Sequence, residues 1–332
     1  MSVDGEVVLA RVGEVTVAVR SAVPLVRDTM AQFYPRAAAG DPQWTVSAQA
    51  GVAPKGVPLT RFGVGIQVDA PGREVRLWSC SALNLAVTTR KVVREVFLDA
   101  CERAGYTMVH ASAIYTDEQV VMFAADKRGG KTTLALRAVL EHDWRWLSND
   151  HLILLPGADG GLVATSLPTP IPVKAGTLVD LWEKLPTPWD ANGFDIEAWR
   201  RIPRQRRYAA DDAGYFTFAQ LEQPNPVMVP LAGKRVSVVF PRYAAPNVRH
   251  GLTAMGPVDT AAELAGHLRT DWLTDDLSRE RHLPFEHRDP AAFALEGVRL
   301  TDLLTRLAGG GWHYEHRGDP GPLLNVLAGA AR

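Results

Sequence analysis

The chain has 332 residues, 46% of them apolar and 22% charged, with 36 basic residues against 37 acidic ones and a formal net charge of −1. That mix fills a core, and its balance gives no electrostatic case for nucleic acid or an anionic membrane as the main partner. No apolar run reaches the ~18 residues of a membrane span, and two cysteines, Cys80 and Cys101, make neither a disulfide framework nor a Cys-based zinc site.

The opening stretch, MSVDGEVVLARVGEV, carries acids where a secretion signal needs a basic segment and an apolar one, so a cytoplasmic location is expected. Residues 1–87 then read as a β-rich N-terminal lobe. EVVLARVGEVTVAVRS and RFGVGIQVDAPGREVRLWS are Val-rich and alternate apolar with polar, and Val26 to Tyr34 suits a short helix. At residue 88 the pattern changes. Thr88 or Thr89 can cap a helix whose buried face holds Val92, Val93, Val96, Phe97, Ala100 and Cys101, ended by Gly105. Two short strands follow, TMVHASAIY and QVVMFAA, then a loop, the helix KTTLALRAVLEH, and a strand WRWLS reaching Asn149 and Asp150. Strands alternating with helices predict an α/β core over 88–270. Within it KRVSVVFPRY reads as a buried strand and VDTAAELAGHLRTDWL as a helix. The segment 271–332 reads as mostly helical, with FALEGVRLTDLLTRLAG its strongest helix and GGGWHYEHRGDPGP in its tail.

The strongest chemical signal runs from Ala125 to Thr132, ADKRGGKT, which fits the phosphate-loop pattern with Ala in place of the first Gly. An apolar strand delivers the loop and an amphipathic helix leaves it. Its small residues, Gly129 and Gly130, let backbone N–H groups wrap phosphates at the positive end of the helix. Lys131 then reaches the β/γ-phosphates, the Thr132 hydroxyl ligates Mg²⁺, and Thr133 continues the cradle. Lys127 and Arg128 either add phosphate contacts or face water. Asp150, at a strand end 18 residues after Thr132, is placed to hold Mg²⁺ directly or through water, with the Asn149 amide beside it. His110, on the strand before the loop strand, can orient an acid, contact a phosphate or shuttle a proton, and equally suits a structural hydrogen bond.

His110-Ala-Ser, the hairpin, the loop ending Gly130-Lys131-Thr132, and Leu147-Ser-Asn-Asp150 together resemble the HPr kinase/phosphorylase family. The likeness is good over 92–155 and looser over 167–176 and 238–243. It implies a P-loop kinase core related to ATP-dependent phosphoenolpyruvate carboxykinase. It also implies transfer of the γ-phosphoryl group of ATP, or another nucleoside triphosphate, to a hydroxyl with Mg²⁺. Asp150 would accept the hydroxyl proton and His110 would assist. Two positions depart from the family: its first Asp of the pair is Asn149 here, and the glycine expected at 128 is Arg. The signature of the phosphorylase half-reaction is missing, and the N-terminal lobe and the last 60 residues differ from the HPr-specific enzymes. The resemblance therefore points to a serine of a precursor peptide, or a small hydroxyl compound, as acceptor. Relatives often assemble, so a homo-oligomer is expected. With one carboxylate missing, a nucleotide-binding regulator or scaffold is the alternative.

Further on, Arg200, Arg201, Arg204, Arg206 and Arg207 precede Asp211 and Asp212. Such a run usually faces water, but Arg206 or Arg207 can close over the nucleotide or acceptor with bidentate hydrogen bonds, and Lys174 is a candidate of the same kind. His282, His287, His313 and His316 lack partners at ligand spacing and read as surface histidines.

Overall fold

The computed structural model describes residues 6–34, 41–157, 160–190, 193–224, 226–244, 251–268, 282–283, 291, 295, 298 and 308–329. It is a mixed α/β protein with several sheets. Two compact units divide it, Met1–Tyr106 with Thr270–Ala292, and Thr107–Arg269 with Phe293–Arg332. The division falls at 106/107, not at 87/88 as the change of sequence pattern suggests, because the long helix packs with the strands before it.

In the first unit, β1 (Glu6–Val12) and β2 (Val15–Ser21) form a hairpin turned at Gly13, whose φ of 58° suits glycine. Helix α1 (Pro24–Phe33) crosses to β3 (Trp44–Ala50), which lies parallel to β2. The hairpin β4 (Gly65–Asp69) and β5 (Glu74–Ser79) completes a five-stranded sheet of order β1-β2-β3-β5-β4. Alternation buries Val8, Ala10 and Val12 of β1, whereas β2 is buried continuously from Val15 to Val19. Helix α2 runs from Ala82 to Arg103, six residues earlier than expected. The Asn84 N–H donates to the Ser81 hydroxyl at 3.2 Å, so Ser81 caps the start. Thr88 and Thr89 are instead fully buried mid-helix.

The second unit carries the alternating part of the chain. Strands β6 (Thr107–Val109), β7 (Ala111–Tyr115) and β8 (Gln119–Ala124) lead into α3 (Lys131–Glu141) and β9 (Arg145–Ser148). Next come β10 (Leu152–Pro156), β11 (Leu162–Ser166), β12 (Ile171–Lys174), α4 (Ala175–Leu181), α5 (Ile196–Arg201) and α6 (Arg204–Ala209). Last are β13 (Ala213–Phe216), β14 (Val229–Pro230), β15 (Arg235–Tyr243), β16 (Gly251–Met255), α7 (Pro257–Ala265), β17 (Ala308–His316) and α8 (Gly321–Gly329).

Six strands form the central sheet in the order β16-β17-β15-β8-β7-β9, with β8, β15 and β17 mutually parallel. Both faces are covered, and β8 shows it residue by residue. Val120, Met122 and Ala124 face one core with Ala261 and Leu264 of α7 and Leu152 of β10. Val121 and Phe123 face the other with Leu134 of α3, Leu178 of α4 and Leu323 of α8. A second sheet, β14-β11-β10-β6, lies on the first of these sides.

Two expectations change here. GGGWHYEH is not a tail but strand β17, interior to the sheet. Its glycines hide the strand signal, and Gly311 is needed because a Cβ there would meet the Thr260 side chain at 2.5 Å. TMVHASAIY is also not one strand: it breaks at His110, with β6 in one sheet and β7 in the other. The helix expected over 293–309 lies largely outside the described residues. Among the described residues, no helix is long and apolar enough to cross a membrane.

Candidate functional site

The topology gathers polar residues at one edge of the central sheet. The carboxyl ends of the parallel strands β8, β15 and β17 lie side by side there, with Tyr243 in register with His316. Strand β7 is antiparallel to both β8 and β9, so β9 ends at this edge and β7 begins at it. The chain changes sheets twice at this point, at His110 between β6 and β7, and at 149–151 between β9 and β10. Backbone groups at such a gap need polar partners from side chains, because each sheet's hydrogen-bond ladder stops there.

Residues 125–130 connect β8 to α3 as a tight loop. The Gly129 N–H donates to the Asp126 carbonyl at 3.1 Å, and Arg128 and Gly130 take positive φ values of 73° and 98°. Neither glycine tolerates a side chain. A Cβ on Gly129 would come within 2.5 Å of the Ala125 Cβ and 2.8 Å of the Pro241 carbonyl, and one on Gly130 within 2.2 Å of the His316 ring. Helix α3 has Gly130 as its N-cap, so no capping side chain accepts from its first-turn N–H groups, which lack intrahelical acceptors as in any helix. The Lys131 ammonium curls into the loop, donating to the Ala125 carbonyl and, at 3.4 Å, to that of Asp126. Burial pulls its pKa below the usual lysine value, against the opposing pull of Asp150 and Asp126.

Thr132 and Thr133 point different ways. The Thr132 hydroxyl lies 3.2 Å from Asn149 Oδ1, whereas Thr133 pairs with the Thr177 hydroxyl of α4 at 2.7 Å. Asp150 faces imidazoles: His110 Nε2 is 2.9 Å from its Oδ1, and the buried His151 Nδ1 is 3.3 Å from its Oδ2. Trp146, Ser148 and Ser112 hold this strand end in place. The Trp146 indole N–H donates to the Ser148 carbonyl at 2.8 Å, the Ser148 hydroxyl to the Ala111 carbonyl at 3.2 Å, and the Ser112 hydroxyl to that of Asn149. The structure thus brings His110, Lys131, Thr132, Asn149 and Asp150 to one place.

On the other side of the loop, Asp211 collects cations. Arg128 lies at 2.9 Å, Lys174 at 3.2 Å and Lys127 at 3.4 Å. Hydrogen bonds from Lys174 and Arg128 hold the Asp211 pKa down at about 2. Lys174 and Arg128 therefore join the loop region through an acid that the sequence had suggested only as part of a charged run. Arg206 is exposed. Arg207 is turned toward Asp180 of α4, 3.8 Å away, where Arg204 (3.1 Å), Arg137 (3.6 Å) and the Tyr208 hydroxyl (2.8 Å) also converge.

Two histidines were missed by sequence reasoning. His316 is fully buried, not a surface residue. The Gly318 N–H donates to its Nδ1 at 2.9 Å, which leaves the proton on Nε2 to bond the Gly129 carbonyl at 2.8 Å. This imidazole therefore fixes the loop's glycine turn. His267 follows α7; its carbonyl accepts the His110 N–H at 2.8 Å, and its ring stacks on Phe240. Burial first, and then the Lys131 charge, lower its pKa and favour the neutral ring. Their positions in the chain, 187 residues from Gly129 and 157 from His110, give no local signal. Elsewhere, His313 pairs with Glu263 at 3.2 Å, and His282 Nδ1 meets Glu95 at 2.8 Å; His287 lies outside the described residues.

As candidate cation ligands the edge offers the Thr132 hydroxyl, the Asn149 amide oxygen and the Asp150 carboxylate, hard oxygen donors suited to Mg²⁺. Among the described residues, no group of three or more His, Cys, Asp and Glu side chains is arranged to hold a metal ion. In comparisons with known proteins, no family model matches the chain and no curated protein matches it.

Proposed function

We propose that the chain is a phosphotransferase that moves the γ-phosphoryl group of ATP, or another nucleoside triphosphate, to a hydroxyl of a peptide or small molecule. The observation that supports this best is the convergence at one sheet edge of the 125–132 loop, Lys131, the Thr132–Asn149 pair and the Asp150–His110 pair. The likeness of these segments to the HPr kinase/phosphorylase family agrees with it. In this reading the first-turn N–H groups of α3 and the Lys131 ammonium bind the triphosphate. Thr132, Asn149 and Asp150 would hold Mg²⁺, which when bound neutralises charge on the transferring phosphoryl group. Lys131 is half prepared for this role. Burial makes its charge unfavourable where it stands, and a phosphate beside it reverses that.

Transfer requires the acceptor oxygen to bond to the γ-phosphorus while the bond from that phosphorus to the β–γ bridging oxygen breaks, leaving the nucleoside diphosphate. The hydroxyl proton passes to the Asp150 carboxylate. His110, 2.9 Å from that carboxylate, orients it and relays the proton onward. Most of the rate enhancement comes from positioning and fixed charge.

The second reading is a nucleotide-binding regulator that transfers nothing. It is favoured by the Thr132 hydroxyl meeting an amide at Asn149, where a carboxylate would bind a cation more strongly. Incubation with γ-labelled ATP, Mg²⁺ and a fractionated lysate separates the two. Label entering a peptide or metabolite supports the kinase, and tight ATP binding without transfer supports the regulator. Lys131→Ala is expected to weaken nucleotide binding at least ~10²-fold in either case; unchanged binding would remove the triphosphate from this loop.

A further inference from the structure

The first unit holds a pair of arginines in an unusual setting. Arg90 and Arg94 lie on α2 one turn apart and, with Phe97, form a face turned toward α1. Arg90 is 8% exposed, and its guanidinium lies over the Phe33 ring at 5.0 Å. Tyr34, just past the end of α1, is fully buried and packs on Phe97 with ring centroids 5.3 Å apart. Among the described residues, the buried Nε atoms of both arginines and the Tyr34 hydroxyl have no hydrogen-bond partner. The described acids of α2, Glu95 and Asp99, are already engaged. Glu95 accepts the His282 and Leu283 N–H groups at 2.8 and 3.3 Å and meets the His282 ring, and Asp99 pairs with Arg103 at 2.9 Å.

The charges acting on Arg90 are those of Arg94, which repels it, and of Tyr34. Burial lowers the Arg90 pKa to about 10 and pushes that of Tyr34 upward, so at neutral pH the cluster is two cations and a neutral phenol. Buried charge without a counter-charge is unfavourable, and native proteins pair it. A water molecule can satisfy an N–H but leaves two like charges facing each other. An oxyanion satisfies the donors and neutralises the charge together.

We propose that Arg90, Arg94 and Tyr34 form a binding site for an oxyanion, the carboxylate or phosphate group of a small ligand, in the first unit and separate from the 125–132 loop. The Phe33 and Phe97 rings supply apolar walls, so the ligand's anionic group is the part that is recognised.

Hydrogen exchange on the full chain tests this with region-by-region resolution. Inorganic phosphate and acetate are titrated separately at constant ionic strength, with chloride as the balancing anion. The expected result is exchange about tenfold slower across 24–34 and 82–103 when the anion is ten times its dissociation constant. The slowing should persist in Lys131→Ala, vanish in Arg94→Gln, and return in part in Arg94→Lys, which keeps the charge and reports that the fold survives substitution. Slowing by phosphate alone assigns a phosphoryl ligand, and slowing by acetate assigns a carboxylate. Slowing confined to 119–141, equal slowing in Arg94→Gln, or no slowing with either anion would overturn the proposal.

Discussion

Asp150 and Asp180 stand in the same unit and have opposite surroundings. Asp180 is met by Arg137, Arg204 and Arg207 and by the Tyr208 hydroxyl, which burial raises to a pKa of about 12. Three guanidiniums and a hydroxyl thus converge on one carboxylate and tie α3 and α6 to Asp180 of α4. Asp150 is met by the imidazoles of His110 and His151, and it lies beside the Thr132–Asn149 pair. The neighbours, not the residue type, distinguish an acid held among guanidiniums from one held between imidazoles. The same contrast explains the arginine run at 200–207. Two of its members, Arg204 and Arg207, are directed to Asp180.

Exchanging each acid for its amide sharpens this contrast. Asp150→Asn is expected to lower phosphoryl transfer by about 10²–10⁴-fold while ATP binding survives, as read by paired transfer and calorimetric binding measurements. Asp180→Asn should do the reverse. Three guanidiniums lose their counter-charge, denaturant unfolding reports a loss of about 2–3 kcal/mol, and transfer by the folded fraction persists. A smaller effect is expected at the loop's support. His316→Ala leaves the part-buried Gly129 carbonyl without its donor and removes about 1–3 kcal/mol, with nucleotide binding weakened in parallel. The smallest effect concerns Asp211. Its pKa is held below the model-peptide value of 3.8, at about 2, so the stabilisation it contributes is present above pH 3.8 and is lost as pH falls through about 2. A carboxyl titration followed by NMR should show this midpoint and its rise in Lys174→Ala. Because Asp211 is exposed, global stability should barely change.

Much of the site was legible in the sequence because its strongest part is local. Strand, glycine turn, Lys131 and helix are contiguous, so their order is read directly from the chain. Asn149 and Asp150 follow from the end of the next strand. His316 and His267 were hidden because long-range pairing places them: β17 joins β15 only after some 60 intervening residues, and a Gly-Gly-Gly start conceals a strand. The start of α2 was missed since ALNLAV, apolar but for Asn84, is too short to show a helical period, while Ser81 supplies the cap. The break at His110 was invisible for a related reason. Both halves of TMVHASAIY have strand composition, and only the two separate sheets distinguish them.

The central claim is that Asp150 serves a phosphoryl transfer at this sheet edge. Its most direct test is label transfer from γ-labelled ATP, with Mg²⁺ and a fractionated lysate, run side by side for the wild-type chain, Asp150→Asn and Asp180→Asn. The account predicts labelled product with the wild-type and Asp180→Asn proteins and almost none with Asp150→Asn. Equal labelling by wild-type and Asp150→Asn proteins, or ATP binding with no labelled acceptor in any fraction, would contradict it.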